Sequence, residues 1–385
     1  MMYKTYFYLL IITLITSCSN NNKNLGEVTN IHFPEGSINI SESFDFRFVR
    51  LETNDDCLIA NIHRMEVYND KIFVHDFLRT ESSLLVFDIN GKFLTRISSK
   101  GGAQDEYYEI AHFAIDKENN KLIISDRRKK RLMYFDPDNS KYLYSKEFKI
   151  GHTDFFASKD RYYFFSHAGF YESRNDHYVM VTDTALNILF EDLECKFRTH
   201  EILSMGSNFF YESQNQVFVY HQSYPFIHKV NDNNCEVHSK LSFEGLKFPT
   251  LDKADEANTN SQIPDMRYND NLEKSSANIR AYAILETNDI IFVSLSVGVT
   301  IRFALYNKTT KESYLMSHYD FFTSTGLNIT FSPNCVADDE IVCTIPMFQG
   351  IHKVKDKIKN DDFSAIIDSV KSDDNPVLCF MKWKK

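Results

Sequence analysis

The sequence predicts an all-β fold, a six-bladed β-propeller closed by an N-terminal strand, with a short helical insertion near the C-terminus. Three observations predict it: a strand phrase recurs six times, a second strand phrase follows several copies, and one strand is left over before the first copy. Repetition at this period indicates a solenoid, a propeller or an array. Small sheets that cannot hide both faces alone pack radially, which favours the propeller.

The recurring phrase is a polar turn followed by a run of β-forming residues. Its copies read YNDKIFVHD (68–76), ENNKLIISD (118–126), SKDRYYFFS (158–166), SQNQVFVYH (213–221), TNDIIFVSL (287–295) and ADDEIVCTI (337–345). These runs lack helical periodicity and are bounded by turn residues, which is typical of antiparallel meanders. The second phrase, as in LLVFDINGKFL, adds a hairpin. Its Asn90-Gly91 pair favours a type I′ turn.

The sixth copy lacks a strand, and this indicates how the ring closes. After Ile341–Met347 only Asn375–Lys384 has a strand pattern, whereas Phe44–Leu51 (FDFRFVRL) is unused upstream of the first copy. We expect Phe44–Leu51 to complete the sixth blade, because closure removes an open sheet edge.

Two segments interrupt the repeat. Residues 244–278 are polar and lack a strand pattern, so we expect a long loop over one face. Long loops of this kind are often functional or disordered. At about residues 353–371, apolar side chains recur at helical spacing, which predicts an amphipathic helix. We expect this helix to cap blade six rather than to bind a partner.

The N-terminus resembles a bacterial lipoprotein signal. Lys4 precedes the apolar stretch Tyr6–Ile15, which is too short for a transmembrane helix. The stretch runs into Ile15-Thr16-Ser17-Cys18, so cleavage would leave Cys18 as a lipid-modified N-terminus. An ordinary cleaved signal with a cysteine there by chance is the alternative.

The chain therefore divides into three predicted parts. Residues 1–17 form the signal peptide, residues 18–40 a tether, and residues 41–385 the propeller. A lipid on Cys18 would anchor the protein to a membrane without spanning it. The expected location is the periplasm or the outer membrane of a Gram-negative bacterium.

Charge and cysteine usage exclude some classes. A net charge of −10 argues against nucleic acid, whose phosphates require clustered Lys and Arg. The basic run RRKKR (127–131) lies between two strand phrases and is interpreted as a solvated loop. The cysteines beyond Cys18 are irregularly spaced, so no disulfide is predicted.

Together these features resemble the six-bladed β-propeller lipoproteins of Bacteroidetes, relatives of the NHL-type propellers. The best-matching stretch is Leu84–Asp126. In such proteins a turn of the form G-x-G-P-G-E-Y often leads to the next blade. Here it reads GGAQDEY (101–107), which keeps Gly101, Glu106 and Tyr107 but replaces the central Gly-Pro-Gly. The resemblance implies the fold and an envelope location, and it implies no reaction.

Motifs for catalysis are lacking in the sequence. There is no phosphate-cradling glycine loop, HExxH or GxSxG. The histidines, among them His63, His75, His112 and His152, show no metal-ligand spacing. Asp76 and Asp126 match across blades one and two, but the corresponding residues differ in the other four blades. They are interpreted as strand-ending turn residues rather than as part of a metal ring.

Function is therefore expected where the repeat fails: the 100–107 turn, the 244–278 insert and the channel mouth. Seven residues could form a ligand-binding rim there: Asp76, Lys100, Glu106, Tyr107, Asp126, His167 and His221. No catalytic residue, metal ligand or cofactor is predicted.

The leading hypothesis is a non-catalytic, lipid-anchored envelope propeller that binds a glycan or an envelope protein. An envelope enzyme of the lactonase, lyase or glycan-active type, with its site at the channel mouth, is the first alternative. A purely structural assembly component is the second.

Overall fold

The computed structural model describes residues 28–78, 81–97, 101–166, 177–194, 208–248, 278–348 and 351–384. These residues form six sheets. The innermost strand of each sheet contacts the innermost strands of both neighbouring sheets, so the sheets close into a ring. The six-bladed propeller predicted from the sequence is confirmed.

The N-terminal segment runs along the outer edges of blades. β1 (Thr29–Phe33) pairs in parallel with residues 239–243. After the single helical turn α1 (Ile40–Ser43), β2 (Phe44–Arg50) pairs antiparallel with residues 377–383. The predicted tether, residues 18–40, therefore includes residues that belong to the fold. From Thr29 the chain belongs to the folded body, because Ile31 and Phe33 are buried against blades four and five.

Blades one to three each contain four strands that are consecutive in the chain. Blade one contains β3 (Ile62–Tyr68), β4 (Lys71–Leu78), β5 (Glu81–Asp88) and β6 (Phe93–Ile97). Blade two contains β7 (Ile110–Asp116), β8 (Lys121–Asp126), β9 (Arg131–Phe135) and β10 (Tyr142–Glu147). Blade three contains β11 (Asp154–Ser158), β12 (Arg161–Phe165), β13 (His177–Asp183) and β14 (Ile188–Glu194).

Blades four and six each include a strand from the N-terminal segment. Blade four contains β15 (Phe210–Ser213), β16 (Gln216–Tyr220), β17 (Phe226–Val230) and β18 (Cys235–Phe243), with β1 outermost. Blade five contains β19 (Ile279–Glu286), β20 (Ile290–Val297), β21 (Thr300–Asn307) and β22 (Ser313–Ser317), followed by α2 (His318–Ser324). Blade six contains β23 (Ser332–Ala337), β24 (Glu340–Ile345) and β25 (Val377–Trp383), with β2 outermost.

The closing strand is the one expected from the sequence. β2 pairs with β25 along its whole length, from Phe44 opposite Trp383 to Arg50 opposite Val377. The ring is thus held shut by main-chain hydrogen bonds inside blade six, between a strand from the N-terminal segment and the last strand of the chain.

Apolar side chains fill the gaps between blades. Each of six apolar clusters in the described residues joins two neighbouring blades. In β4, Ile72 and Val74 pack toward blade six, whereas Phe73 packs toward blade two. Alternate side chains on a strand point to opposite faces, and here both faces are covered. This explains the near-continuous apolar runs of the repeat.

The two ends of the ring differ. At one end, which we call the hairpin face, four blades join their first two strands by tight turns with positive φ at both central residues. These turns are Asn69-Asp70, Lys159-Asp160, Gln214-Asn215 and Asp338-Asp339. Type I′ geometry of this kind matches the twist of the flanking strands. At the other end, which we call the loop face, the innermost strands begin and the longer connections attach.

The hairpin at Asn90-Gly91 forms, but not with the predicted type I′ turn. Only Gly91 has a positive φ, of 87°, while Oδ1 of Asp88 accepts hydrogen bonds from the backbone N–H groups of Asn90 and Lys92. A Cβ atom on residue 91 would lie 2.0 Å from the carbonyl oxygen of Arg50. Glycine is therefore required where blade one meets the closing strand.

The C-terminal insertion packs on blade six, in two pieces rather than one helix. A 3₁₀ helix (Ile351–Lys357) precedes α3 (Asp361–Ile367). The side chain of Asn360 caps α3 by accepting a hydrogen bond from the N–H of Phe363 at 2.9 Å. The ring of Phe363 lies against Phe48 of β2, with 5.0 Å between centroids.

Candidate functional site

Asp76 and Asp126 occupy equivalent places at the loop-face end of the second strand. Oδ1 of Asp76 accepts hydrogen bonds from the N–H groups of Ala60 and Asn61, both at 2.9 Å. Asp126 is fully buried and accepts a hydrogen bond from the N–H of Tyr108 at 3.1 Å. Each carboxylate therefore holds the loop that enters the innermost strand of its own blade.

The predicted rim is corrected at Asp126 and Tyr107. Neither side chain has exposed area to offer a ligand. The Tyr107 hydroxyl lies 2.9 Å from the carbonyl oxygens of both Ser82 and Ile97 and shares its one proton between them, and so joins two strands of blade one.

Glu106 stabilises the turn that contains it. Its Oε2 accepts a hydrogen bond from the N–H of Ala103 at 2.8 Å, and it lies so close to Gly101 that a Cβ there would be 2.2 Å away. Nζ of Lys129 donates to the carbonyl oxygens of Ala103 and Glu106. Gly101 and Glu106, which this turn shares with the family turn, thus explain the shape of the turn although the central Gly-Pro-Gly is replaced.

The remaining predicted rim positions provide less evidence for a binding site. His221 lies on the loop face, where its Nδ1 accepts a hydrogen bond from the N–H of Ser223 at 3.1 Å. Its ring contacts Tyr224 and Tyr178, with centroid distances of 4.5 and 5.1 Å. Lys100, His167 and Cys18 lie outside the described residues, as does most of the 244–278 insert.

Four histidines that are far apart in sequence meet at the loop-face side of blades one to three. The ring centroids are 5.2 Å apart for His63 and His75, 6.0 Å for His63 and His112, and 6.2 Å for His112 and His152. Among the residues that the structure describes, no group of three His, Cys, Asp or Glu side chains is arranged to hold a metal ion.

Burial keeps this histidine cluster neutral. It lowers the pKa of His75 to about 3 and that of His152 to about 4, and it lowers the pKa of His112 well below its ordinary value. Nε2 of His75 lies 2.8 Å from Oγ of Ser82, while Nδ1 of both His75 and His112 has no hydrogen-bond partner within the described ranges.

An ion-pair cluster crosses the central channel. The guanidinium of Arg64, on the innermost strand of blade one, lies 2.6 Å from Oδ1 of Asp154 in blade three and 2.9 Å from Oε1 of Glu66. Oδ2 of Asp154 also accepts a hydrogen bond from the N–H of Phe209 at 2.7 Å, next to blade four. Arg64 and Asp154 are both buried. Side chains thus span the channel rather than leaving it open at this level.

A small cavity of about 130 Å³ lies on the ring axis beside this cluster. All six innermost strands contribute to its lining. Its acidic groups are paired: Oε2 of Glu212 accepts a hydrogen bond from Ser158 at 3.1 Å, and Glu286 pairs with Lys308. The channel interior therefore joins blades to one another.

Comparison with known proteins identifies the family. The family model described as 6-bladed beta-propeller, DUF5128, matches residues 17–344. The chain belongs to this family. The match covers most of the ring, and it confirms the blade count inferred from the repeat.

Solved structures show the same fold. A protein of Bacteroides fragilis, provisionally named an exported protein, is 23% identical, with a TM-score of 0.81 over 93% of this chain and 100% of its own. A DUF4221 family member from Bacteroides vulgatus is 10% identical, with a TM-score of 0.51 over 89% of this chain and 99% of its own. No match is found among curated proteins.

Sequence reasoning missed the histidine cluster and the Arg64–Asp154 pair. Both depend on which strands become neighbours around the ring. The available signal was positional: Arg64 follows His63 near the start of one innermost strand, and Asp154 begins another. A charged residue in a strand covered on both faces needs a buried partner.

Proposed function

We propose that this protein is a lipid-anchored envelope protein of a Gram-negative bacterium that binds a glycan or a partner protein on its loop face, without catalysis. The difference between the two faces carries the proposal. Tight turns close the hairpin face, whereas the long connections attach to the loop face. Binding residues are found disproportionately on loops held by a rigid scaffold.

Two further observations support this role. The described loop-face carboxylates Asp76 and Asp126 hold backbone N–H groups of their own blades and do not converge on a common point. The side chains of Arg64 and Asp154 cross the channel, which favours a surface site over a site inside it. The exported name of the Bacteroides fragilis relative and the lipoprotein-like N-terminus support an envelope location.

Lipid attachment at Cys18 is directly testable. We expect cells fed a clickable fatty acid to label the wild-type protein, and Cys18→Ala to abolish the label, because the thiol of Cys18 would be the acylation site. Cys235→Ala, which alters a half-buried cysteine of the ring, is the matched control and should keep the label. A label that survives Cys18→Ala would contradict the anchor.

The binding face is testable by photo-crosslinking in cells. We expect p-benzoylphenylalanine at Tyr108, which is exposed on the loop face, to give crosslinked adducts. The same group at Asn139, an exposed residue in the 136–141 turn of the hairpin face, should give none. Adducts from Asn139 alone would reverse the assignment of the face. If the purified protein chemically converts the captured ligand, the enzyme alternative is correct and the proposal of binding without catalysis is wrong.

A further inference from the structure

A cleft of about 230 Å³ opens on the loop face between blades five and six, away from the ring axis. Its walls come from the loop-face ends of β19, β20, β21 and β23, with Gln222 of blade four at one side. Polar lining comes from Gln222, Ser294, Ser296 and Ser332, and the accessible apolar lining comes from Ile301 and Pro333.

Gln222 is the unusual member of this lining. The residue is only 3% exposed, yet its Oε1 has no hydrogen-bond partner among the residues that the structure describes. A buried amide oxygen is normally paired, since leaving it unpaired costs its lost hydration. An acceptor held in this way is prepared for a ligand.

The serines extend the same pattern. The hydroxyl groups of Ser294, Ser296 and Ser332 make no hydrogen bond to any residue that the structure describes. Three hydroxyls and one amide thus face a single cleft with unused hydrogen-bonding capacity. A few polar groups set in a largely apolar wall are typical of small-molecule sites.

The described lining favours an uncharged ligand. Among the lining residues that the structure describes there is no Asp, Glu, Lys, Arg or His. A charged group transferred there from water would lose its hydration without gaining a counter-ion. The ligand that fits is therefore neutral, with several hydroxyl groups and an apolar face.

We propose that this cleft binds a neutral sugar residue of a glycan, with Gln222 as the main hydrogen-bonding residue. A sugar ring presents hydroxyls toward the amide and the serines, and its C–H face toward the apolar side chains of Ile301 and Pro333. This inference rests on the proposed binding function and names both its ligand class and its place.

The test uses the purified full-length protein on an array of neutral and acidic glycans, followed by titration of each hit. We expect at least one neutral glycan to bind and Gln222→Leu to weaken its affinity by tenfold or more. Gln214→Leu makes the same chemical change on an exposed residue of the hairpin face, away from the cleft, and should leave the affinity unchanged. Ser296→Ala should weaken the same glycan by a smaller factor.

Thermal unfolding separates a binding residue from a structural one. Because Gln222→Leu removes an unpaired buried polar group, we expect its melting temperature to equal or exceed that of the wild type. A large fall in melting temperature would mean that Gln222 supports the fold and would overturn the proposal. Three other results would also overturn the proposal: binding of acidic glycans only, equal affinities for Gln222→Leu and the wild type, or no glycan binding. If no glycan binds but p-benzoylphenylalanine at position 108 still captures a protein, the cleft inference fails and the proposed binding function stands.

Discussion

Arg64→Met is expected to lower the free energy of unfolding by about 3–5 kcal/mol, the usual cost of breaking a buried ion pair. In the wild type, Arg64 pairs with Asp154 and Glu66 at 2.6 and 2.9 Å. Without the guanidinium, the carboxylate of Asp154 would remain buried without its cation. Methionine keeps much of the side-chain volume, so the loss reports charge rather than a cavity. Urea unfolding followed by circular dichroism measures the change.

Two further variants isolate the cause. Arg47→Met breaks a surface pair, Arg47–Glu340 at 3.1 Å with the arginine 46% exposed, and should cost less than about 1 kcal/mol. Adding Asp154→Asn to Arg64→Met should restore part of the lost stability, because the unpaired charge is then removed. Equal effects of Arg64→Met and Arg47→Met would show that the channel pair contributes no more than a surface contact.

Acid is expected to destabilise the protein well above the range in which carboxylates titrate. Folding lowers the pKa of His75 to about 3 and that of His152 to about 4, from an unfolded value of about 6.5. Between these values the unfolded chain binds more protons than the folded chain. Stability is therefore complete above about pH 7 and falls as the pH falls toward 4. Each such histidine should remove about 2 kcal/mol between pH 7.5 and 5.

The measurement is the free energy of unfolding from urea titrations between pH 5 and 7.5. His112→Phe should flatten the pH dependence, because it removes a buried histidine for which the structure shows no side-chain hydrogen bond in the described ranges. His352→Phe, at an exposed position, is the control and should leave the profile unchanged. The charges that face the cluster are those of Arg64 and of the histidines themselves, with Arg127 near His152. A wild-type profile that is flat down to pH 5 would contradict this expectation.

The ring was predictable from sequence because every blade repeats one local pattern. Apolar runs such as Ile290–Val293 and turns such as Asn69-Asp70 encode strands and hairpins locally. The closing strand could be inferred because the sixth copy lacked one. β1 was missed: a five-residue strand beside a polar segment has no local pattern to distinguish it, and its partner lies more than two hundred residues away.

The candidate site was less predictable, and for a different reason. Asp76 and Asp126 were correctly matched across blades, yet their partners are backbone N–H groups that no sequence pattern specifies. The four histidines are scattered in the sequence because their spacing follows the blade period rather than a ligand motif. Gln222 could not be predicted from the sequence, because an unpaired amide can be identified only once the positions of its neighbours are known.

The pairing of β2 with β25 has a consequence for folding kinetics. Near this seam, the N–H of Asn375 donates to the side chain of Thr53, 322 residues away in sequence. Contacts of such long range slow folding, because their loop-closure entropy is lost before the contacts form. Blades one to five can assemble while the chain emerges, but the seam must wait for residues 377–383. Until then the edges of β2 and β24 are unpaired, and an unpaired edge is where two chains can associate wrongly.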